Sequence, residues 1–182
     1  MKQTTQAGQR ARWIAETAVL IALLVVLQGA TASTNQFITG SCVNTVLGVA
    51  ALVAGLWSGV VVALVSPFFA YLLGIGPQLL PIVPAVALGN VVLVLLLWLL
   101  AGKKLPECAI SWRVIAVAVA AAAKALTLYL VVVQVLCRVL SLADAQVATF
   151  SLMFSWPQLV TALIGGTLSM YLAPVLRKAL KR

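Results

Sequence analysis

Long stretches of this sequence carry almost no charge, and that feature limits its possible folds more than any other. Only 8% of its 182 residues are charged and 64% are hydrophobic, whereas roughly 25% of the residues of an ordinary soluble domain are charged. So few charged side chains cannot cover a water-exposed surface, so lipid must surround most of the protein. A helix needs about 20 apolar residues to cross a hydrocarbon core of about 30 Å. The sequence therefore predicts an all-α membrane protein with one transmembrane domain, residues 1–182.

The basic residues predict the topology of that domain. The apolar stretches indicate a bundle of six transmembrane helices, at approximately residues 13–30, 42–56, 59–74, 81–101, 113–136 and 150–176. Ten of the 12 Lys and Arg residues flank these spans and fall on one side of the membrane: Lys2, Arg10, Arg12, Lys103, Lys104, Arg113, Arg177, Lys178, Lys181 and Arg182. Because cytoplasmic loops accumulate Lys and Arg, we expect both termini in the cytoplasm. The net charge of +9 therefore reflects membrane insertion, and we expect no nucleic-acid partner.

The residue types and motifs of the chain exclude several kinds of chemistry. The chain has no His and three acidic residues, Glu16, Glu107 and Asp144, so a His-dependent triad is excluded and we expect neither a metal site nor a cofactor. It also lacks a nucleotide-binding P-loop sequence. We therefore expect a protein that is not an enzyme. Two alternatives stay open: residues 30–32 (Ala-Thr-Ala) resemble a signal-peptide cleavage site, and Cys42 and Cys137 lie near the same predicted surface, where a disulfide is possible.

One charged residue interrupts the apolar spans. Lys124 lies near the middle of the fifth predicted helix, where a charge costs at least about 2.5–3.5 kcal/mol on insertion scales. Thr127, Val131 and Gln134 follow it at helical spacing, so this face should point into the bundle. Lys124 either binds an anionic or hydrogen-bond-accepting group of a ligand or pairs internally, and the sequence leaves both alternatives open.

Other polar residues join Lys124 as candidates for contact with a substrate. They are uncharged and lie in the middle or the outer half of the predicted bundle: Asn35, Gln36, Asn90, Thr127, Tyr129, Gln134, Trp156 and Gln158. On the first helix, Ala15, Ala18 and Ala22 recur on one face, and such small-residue stripes let helices approach closely in lipid. We expect this stripe to contact another helix of the bundle or a partner protein.

Together these features resemble a known family. The short helices, the basic N-terminus, the Ala18-x-x-x-Ala22 stripe and the Gly-bounded turn at residues 55–59 are similar to those of the substrate-binding S-components of energy-coupling factor (ECF) transporters. The resemblance implies a subunit that binds a vitamin or related micronutrient from the outer side of a bacterial plasma membrane. It also implies that the Ala stripe meets a transmembrane coupling subunit, which works with two cytoplasmic ATPases. The alternative is a structural scaffold of the cell-shape MreD type, which would bind no small molecule.

Overall fold

The computed structural model describes residues 6–76, 78–102, 105 and 109–180, and these residues form helices and short connections without any strand. The charged residues predicted to be cytoplasmic that lie outside these ranges are Lys2, Lys103, Lys104, Glu107, Lys181 and Arg182. The helices are α1 (Gln6–Thr31), α2 (Gln36–Val49), α3 (Leu56–Leu72), α4 (Ile82–Leu97), α5 (Ile110–Leu128), α6 (Asp144–Met153) and α7 (Trp156–Ala179). The predicted all-α class is confirmed.

Three helices continue into π-helical segments, in which each backbone hydrogen bond spans one residue more than in an α-helix. The segments are Ala50–Ala54 after α2, Trp98–Gly102 after α4 and Tyr129–Leu136 after α5, where a last turn, Cys137–Val139, follows. With these extensions, and with α6 and α7 taken together across residues 154–155, five helices of the described residues are long and apolar enough to cross a membrane: Gln6–Thr31, Gln36–Ala54, Ile82–Gly102, Ile110–Val139 and Asp144–Ala179. Helix α3 is apolar but shorter. The count of six spans and the cytoplasmic termini stay predictions.

The helices form a closed ring in the order α1, α3, α4, α5, α7, α2, with α2 also touching α4 across the interior. Near the end of the bundle that carries the N-terminus, large apolar side chains fill the interior, among them Leu47, Leu52, Leu93 and Leu97. A second apolar cluster around Leu128 and Phe150 joins α4, α5 and α6 toward the opposite end. The space between these clusters, at the centre of the ring, is where the polar residues collect.

Arg177 ties the π-helical ends together at the N-terminal end of the bundle. Its guanidinium donates hydrogen bonds to the backbone carbonyls of Leu52 (2.7 Å), Gly102 (2.7 Å) and Leu105 (2.8 Å). The last carbonyls of a helix have no partner within the helix and carry a partial negative charge. The positive side chain of α7 therefore stabilises the ends of α2 and α4, and this end of the ring is closed.

Two boundaries differ from the sequence-based expectation for local reasons. Helix α2 begins at Gln36 and not near residue 42, because the side-chain oxygen of Asn35 caps it by accepting hydrogen bonds from the backbone N–H groups of Phe37 and Ile38. The predicted outer loop that contains Asp144 is mostly the helix α6, and only residues 140–143 separate it from the end of the fifth span. Both changes leave less irregular backbone at the end of the bundle opposite the N-terminus.

Exposed aromatic side chains agree with a membrane setting. Trp13, Trp57 and Trp112 are exposed near the N-terminal end of the bundle, and Trp156 is exposed at the opposite end. Tryptophan is enriched at the two membrane–water interfaces. Many aliphatic side chains between these levels, such as Val19 and Val26, are also exposed, as expected of a surface that faces lipid.

Candidate functional site

A cavity of about 310 Å³ lies inside the ring, in the half of the bundle opposite the N-terminus. It extends from Lys124, near the middle of the fifth span, to a rim of exposed residues that includes Ala32, Thr34 and Gly74. The walls between are mainly apolar and come from α2, α3, α4 and the junction of α6 with α7. A concave, mostly apolar pocket with a few placed polar groups is the usual form of a small-molecule site.

Lys124 forms the floor of this cavity and is only 3% exposed. Its Nζ donates hydrogen bonds to the Oδ1 atoms of Asn44 on α2 (2.6 Å) and Asn90 on α4 (2.7 Å). Both amides are also buried and line the cavity. Three polar residues from three different helices thus meet at one point, as expected when a charge at this depth is hydrogen-bonded inside the protein.

The position of Asn44 is set by close packing between α2 and α7. Its Nδ2 donates to the hydroxyl of Thr161 at 3.3 Å. Gly165 lies directly opposite, and a Cβ at Gly165 would come within 2.5 Å of the Asn44 Cβ. The absence of a side chain at Gly165 therefore lets the two helices approach closely enough for α7 to support the amide that binds Lys124.

Gln28 contributes a second polar group to the cavity from α1. Its Nε2 lies 3.3 Å from the backbone carbonyl of Ser66 and 3.5 Å from the Ser66 hydroxyl. Because a carbonyl oxygen only accepts, the nitrogen of the amide must face Ser66. The Gln28 Oε1 is then left buried and without a hydrogen-bond partner among the described residues. Since the residue is 2% exposed and lines the cavity, this oxygen is a buried, unsatisfied acceptor beside the cavity.

The break between α6 and α7 forms part of the rim. The side-chain amides of Gln36 and Gln158 both donate to the backbone carbonyl of Met153, at 2.9 and 3.2 Å. Phe37 and Trp156 pack beside them with ring centroids 5.4 Å apart. These contacts attach the start of α2 to the start of α7 at the mouth of the cavity.

The structure brings some of the predicted site residues together and separates others. Lys124, Asn90, Gln158, Asn35 and Gln36 line the cavity. The side-chain oxygen of Asn35, however, is engaged in capping α2.

The predicted residues that do not line the cavity are Thr127, Tyr129, Gln134 and Trp156. Thr127 donates to the carbonyl of Ala123 on its own helix, and Gln134 bonds to the hydroxyl of Tyr129 and to Arg138. For Gln134 the reason is the π-helical segment that begins at Tyr129. With more residues in each turn, the buried face passes through Leu128, Val132 and Val133 instead of through Val131 and Gln134.

Asn44, Gln28 and Ser66 are cavity residues that the sequence analysis did not select. A usable signal was present, because Asn44 and Gln28 are strongly polar residues inside otherwise apolar helices, and such residues mark binding sites by default. Ser66 carries no such signal, since serine also serves in ordinary helix packing.

On the first helix, Ala15, Ala18 and Ala22 are all exposed, while Thr17, Leu24 and Gln28 form the buried face. The Ala stripe therefore does not pack within the described bundle. Cys42 and Cys137 are both free thiols. No group of residues able to hold a metal ion occurs in the part of the chain that the structure describes.

Residues 12–177 match the model of the family described as the substrate-specific component of ECF transporters. No curated protein and no solved structure gave a significant match.

Proposed function

The chain belongs to the family of substrate-specific components of ECF transporters, and on that premise we propose that it captures a vitamin or related micronutrient in the cavity above Lys124. It is thus a multi-pass membrane subunit of a transporter, and we place it in a bacterial plasma membrane with the cavity facing outward. The observation that carries the proposal is the cavity itself, with Lys124, Asn44 and Asn90 at its floor and the unpartnered Oε1 of Gln28 in its wall.

The alternative of a structural scaffold is less well supported. Helix packing alone requires neither an open space of this size nor a buried ammonium at its floor, because such a charge is unfavourable at membrane depth. A scaffold would bind no small molecule, so detection of a ligand separates the two proposals.

The test is purification of the full chain in a mild detergent from cells grown in rich medium, followed by native mass spectrometry. We expect a protein peak that carries one bound small molecule, which is released by denaturation. Lys124→Met should lose the bound mass, while the same substitution at the exposed Lys178 should keep it. A wild-type protein that carries no small molecule and that no vitamin stabilises against heating would contradict the proposal.

For transport, we propose that the chain associates with a transmembrane coupling subunit and two cytoplasmic ATPases, which supply the energy of ATP. Family membership implies an ECF module, and the exposed stripe of Ala15, Ala18 and Ala22 is the surface that we assign to the coupling subunit. Small residues allow close helix approach, so Ala18→Leu should weaken co-purification with the module. Ala122→Leu, an equally small exposed position on α5, is the matched control. Equal recovery of the module with both variants would exclude this stripe as the contact.

A further inference from the structure

Among the described residues, Lys124 has hydrogen-bond partners but no counter-ion. Both of its partners are neutral amide oxygens. Of the described acidic residues, Glu16 pairs with Arg12 near the N-terminus and Asp144 is exposed at the start of α6. No carboxylate of the described residues lines the cavity. A buried charge without a counter-ion is strongly unfavourable, so the floor of the cavity favours a molecule that brings a negative charge.

The floor of the cavity also carries hydrogen-bond donors that have no acceptor among the described residues. An ammonium group has three N–H donors, and the described residues accept from two of them. The Nδ2 of Asn90 donates no hydrogen bond within the described residues either, because only its oxygen is engaged. Two donors from neighbouring groups match the two oxygens of one carboxylate.

The charge of the bound molecule is limited to about one unit. A phosphate monoester carries roughly −1.5 to −2 near neutral pH, and the described residues of the cavity lining offer no second cation. At the start of α2, the N–H groups of Phe37 and Ile38 are already engaged by the Asn35 side chain, so they do not replace one. A dianion would therefore leave an excess negative charge in a low-dielectric site, and a cation would face Lys124 without any acid to receive it.

The wall of the cavity predicts further features of the bound molecule. The unpartnered Oε1 of Gln28 requires a donor, so the molecule should present an N–H or O–H group there. The lining between the two polar points is largely apolar, including Val43, Val83 and Phe154. A volume of about 310 Å³ lies at the lower end of the range for small-molecule sites, so the molecule should be small.

From these observations, and resting on the function proposed above, we propose that the substrate is a small monocarboxylate. Its carboxylate binds Lys124 and Asn90, its apolar body fills the middle of the cavity, and an N–H or O–H group donates to Gln28 Oε1.

The first experiment identifies the charged group of the natural ligand. The small molecule bound to the wild-type chain is extracted with methanol, its mass is determined, and its carboxyl groups are counted by carbodiimide coupling to ethylamine. We expect a small molecule that couples once and contains no phosphorus. A phosphorylated, cationic or carboxyl-free ligand would overturn the monocarboxylate proposal while leaving the proposed function intact. A chain that carries no ligand would instead overturn the proposed function.

The second experiment measures the contribution of the carboxylate. The extracted acid and its primary amide are titrated into ligand-free wild-type protein by isothermal calorimetry. We expect the amide to bind about 10- to 100-fold more weakly, the range for losing a hydrogen bond to a charged group. Lys124→Met should bind acid and amide equally, whereas Lys178→Met should discriminate like the wild type. If the amide binds the wild type as tightly as the acid, the proposal is wrong, whatever the variants do.

A third experiment tests the contact with Gln28. Gln28→Leu should weaken binding of the extracted acid about 10-fold, while Gln146→Leu on the exposed face of α6 should leave it unchanged. Unchanged affinity in Gln28→Leu would remove the donor group from the proposed description of the substrate.

Discussion

The contact between α2 and α7 allows a specific prediction about how packing positions the site. A Cβ added at Gly165 would lie 2.5 Å from the Asn44 Cβ, 2.7 Å from the Thr45 N and 2.8 Å from the Asn44 carbonyl carbon. Carbon atoms pack at about 3.5–4 Å, so Gly165→Ala lacks about 1 Å of space. Two of the three atoms belong to the backbone, and the third is fixed to it. The clash is therefore relieved only by moving α2 and α7 apart.

The structure predicts the size of two effects of Gly165→Ala, one on stability and one on ligand affinity. Overpacking a tight interface costs about 1–3 kcal/mol, and we expect the upper part of this range because no flexible side chain can yield. A shift of α2 by about 1 Å would also lengthen the 2.6 Å bond between Lys124 and Asn44 beyond hydrogen-bonding range. Affinity for the bound small molecule should therefore fall by about 10-fold or more.

Thermal unfolding in detergent, together with calorimetric titration of the ligand, measures both effects. Two alanine variants serve as controls of graded severity. At Gly166 the nearest obstacle is a side-chain methyl of Val117, 2.9 Å from where an added Cβ would lie, and at Gly29 nothing lies within 4 Å. Stability should rank Gly29→Ala, Gly166→Ala, Gly165→Ala from highest to lowest. If Gly165→Ala is as stable as Gly29→Ala and binds ligand normally, the close approach of the two helices does not position Asn44.

Three further predictions concern the ends of the bundle. Arg177→Met removes three hydrogen bonds to backbone carbonyls and should lower the free energy of unfolding by about 2–3 kcal/mol or more. Lys178→Met should cause no change, and equal melting temperatures of the two variants would refute the prediction. Gln36→Leu breaks the bond to the Met153 carbonyl and should raise the ligand dissociation rate several-fold in stopped-flow displacement, whereas an unchanged rate would exclude a role in retaining ligand. The third prediction concerns Gly55, whose φ is +99°. Gly55→Ala should lower the free energy of unfolding by about 1–2 kcal/mol, and a melting temperature equal to the wild type would contradict that.

Composition and hydrophobic patterning were sufficient to predict the helical class, because a chain with so few charges in lipid must satisfy its backbone within helices. They also identified Lys124, since a charge at that depth needs an unusual environment. These inferences depend on the type of residue and the solvent, and neither requires knowledge of which helices touch.

The predicted site residues and the residues that line the cavity differ because of helix register and contacts that are distant in sequence. Extending α-helical spacing from Lys124 selected Thr127 and Gln134, but the π-helical segment from Tyr129 turns Gln134 away from the cavity. Nothing in the apolar sequence of residues 129–136 signals this segment. Asn44 was missed because its role depends on a partner 80 residues away in the chain. The residue type of Asn44 was informative, but its contact with Lys124 follows only from the order of helices around the ring.

The sequence left two interpretations of Lys124 open, internal pairing and ligand binding, and the arrangement at the cavity floor is compatible with both. The lysine is internally hydrogen-bonded, through Asn44 and Asn90, and it is also accessible to a ligand at the floor of the cavity. The neutral amides hold the ammonium in place without neutralising it, whereas a carboxylate partner would have removed its attraction for an anion. Fixed donors whose charge is unbalanced until a ligand arrives are pre-organised for an anion. Under the proposed function, structural pairing and ligand contact are therefore two parts of one role for Lys124.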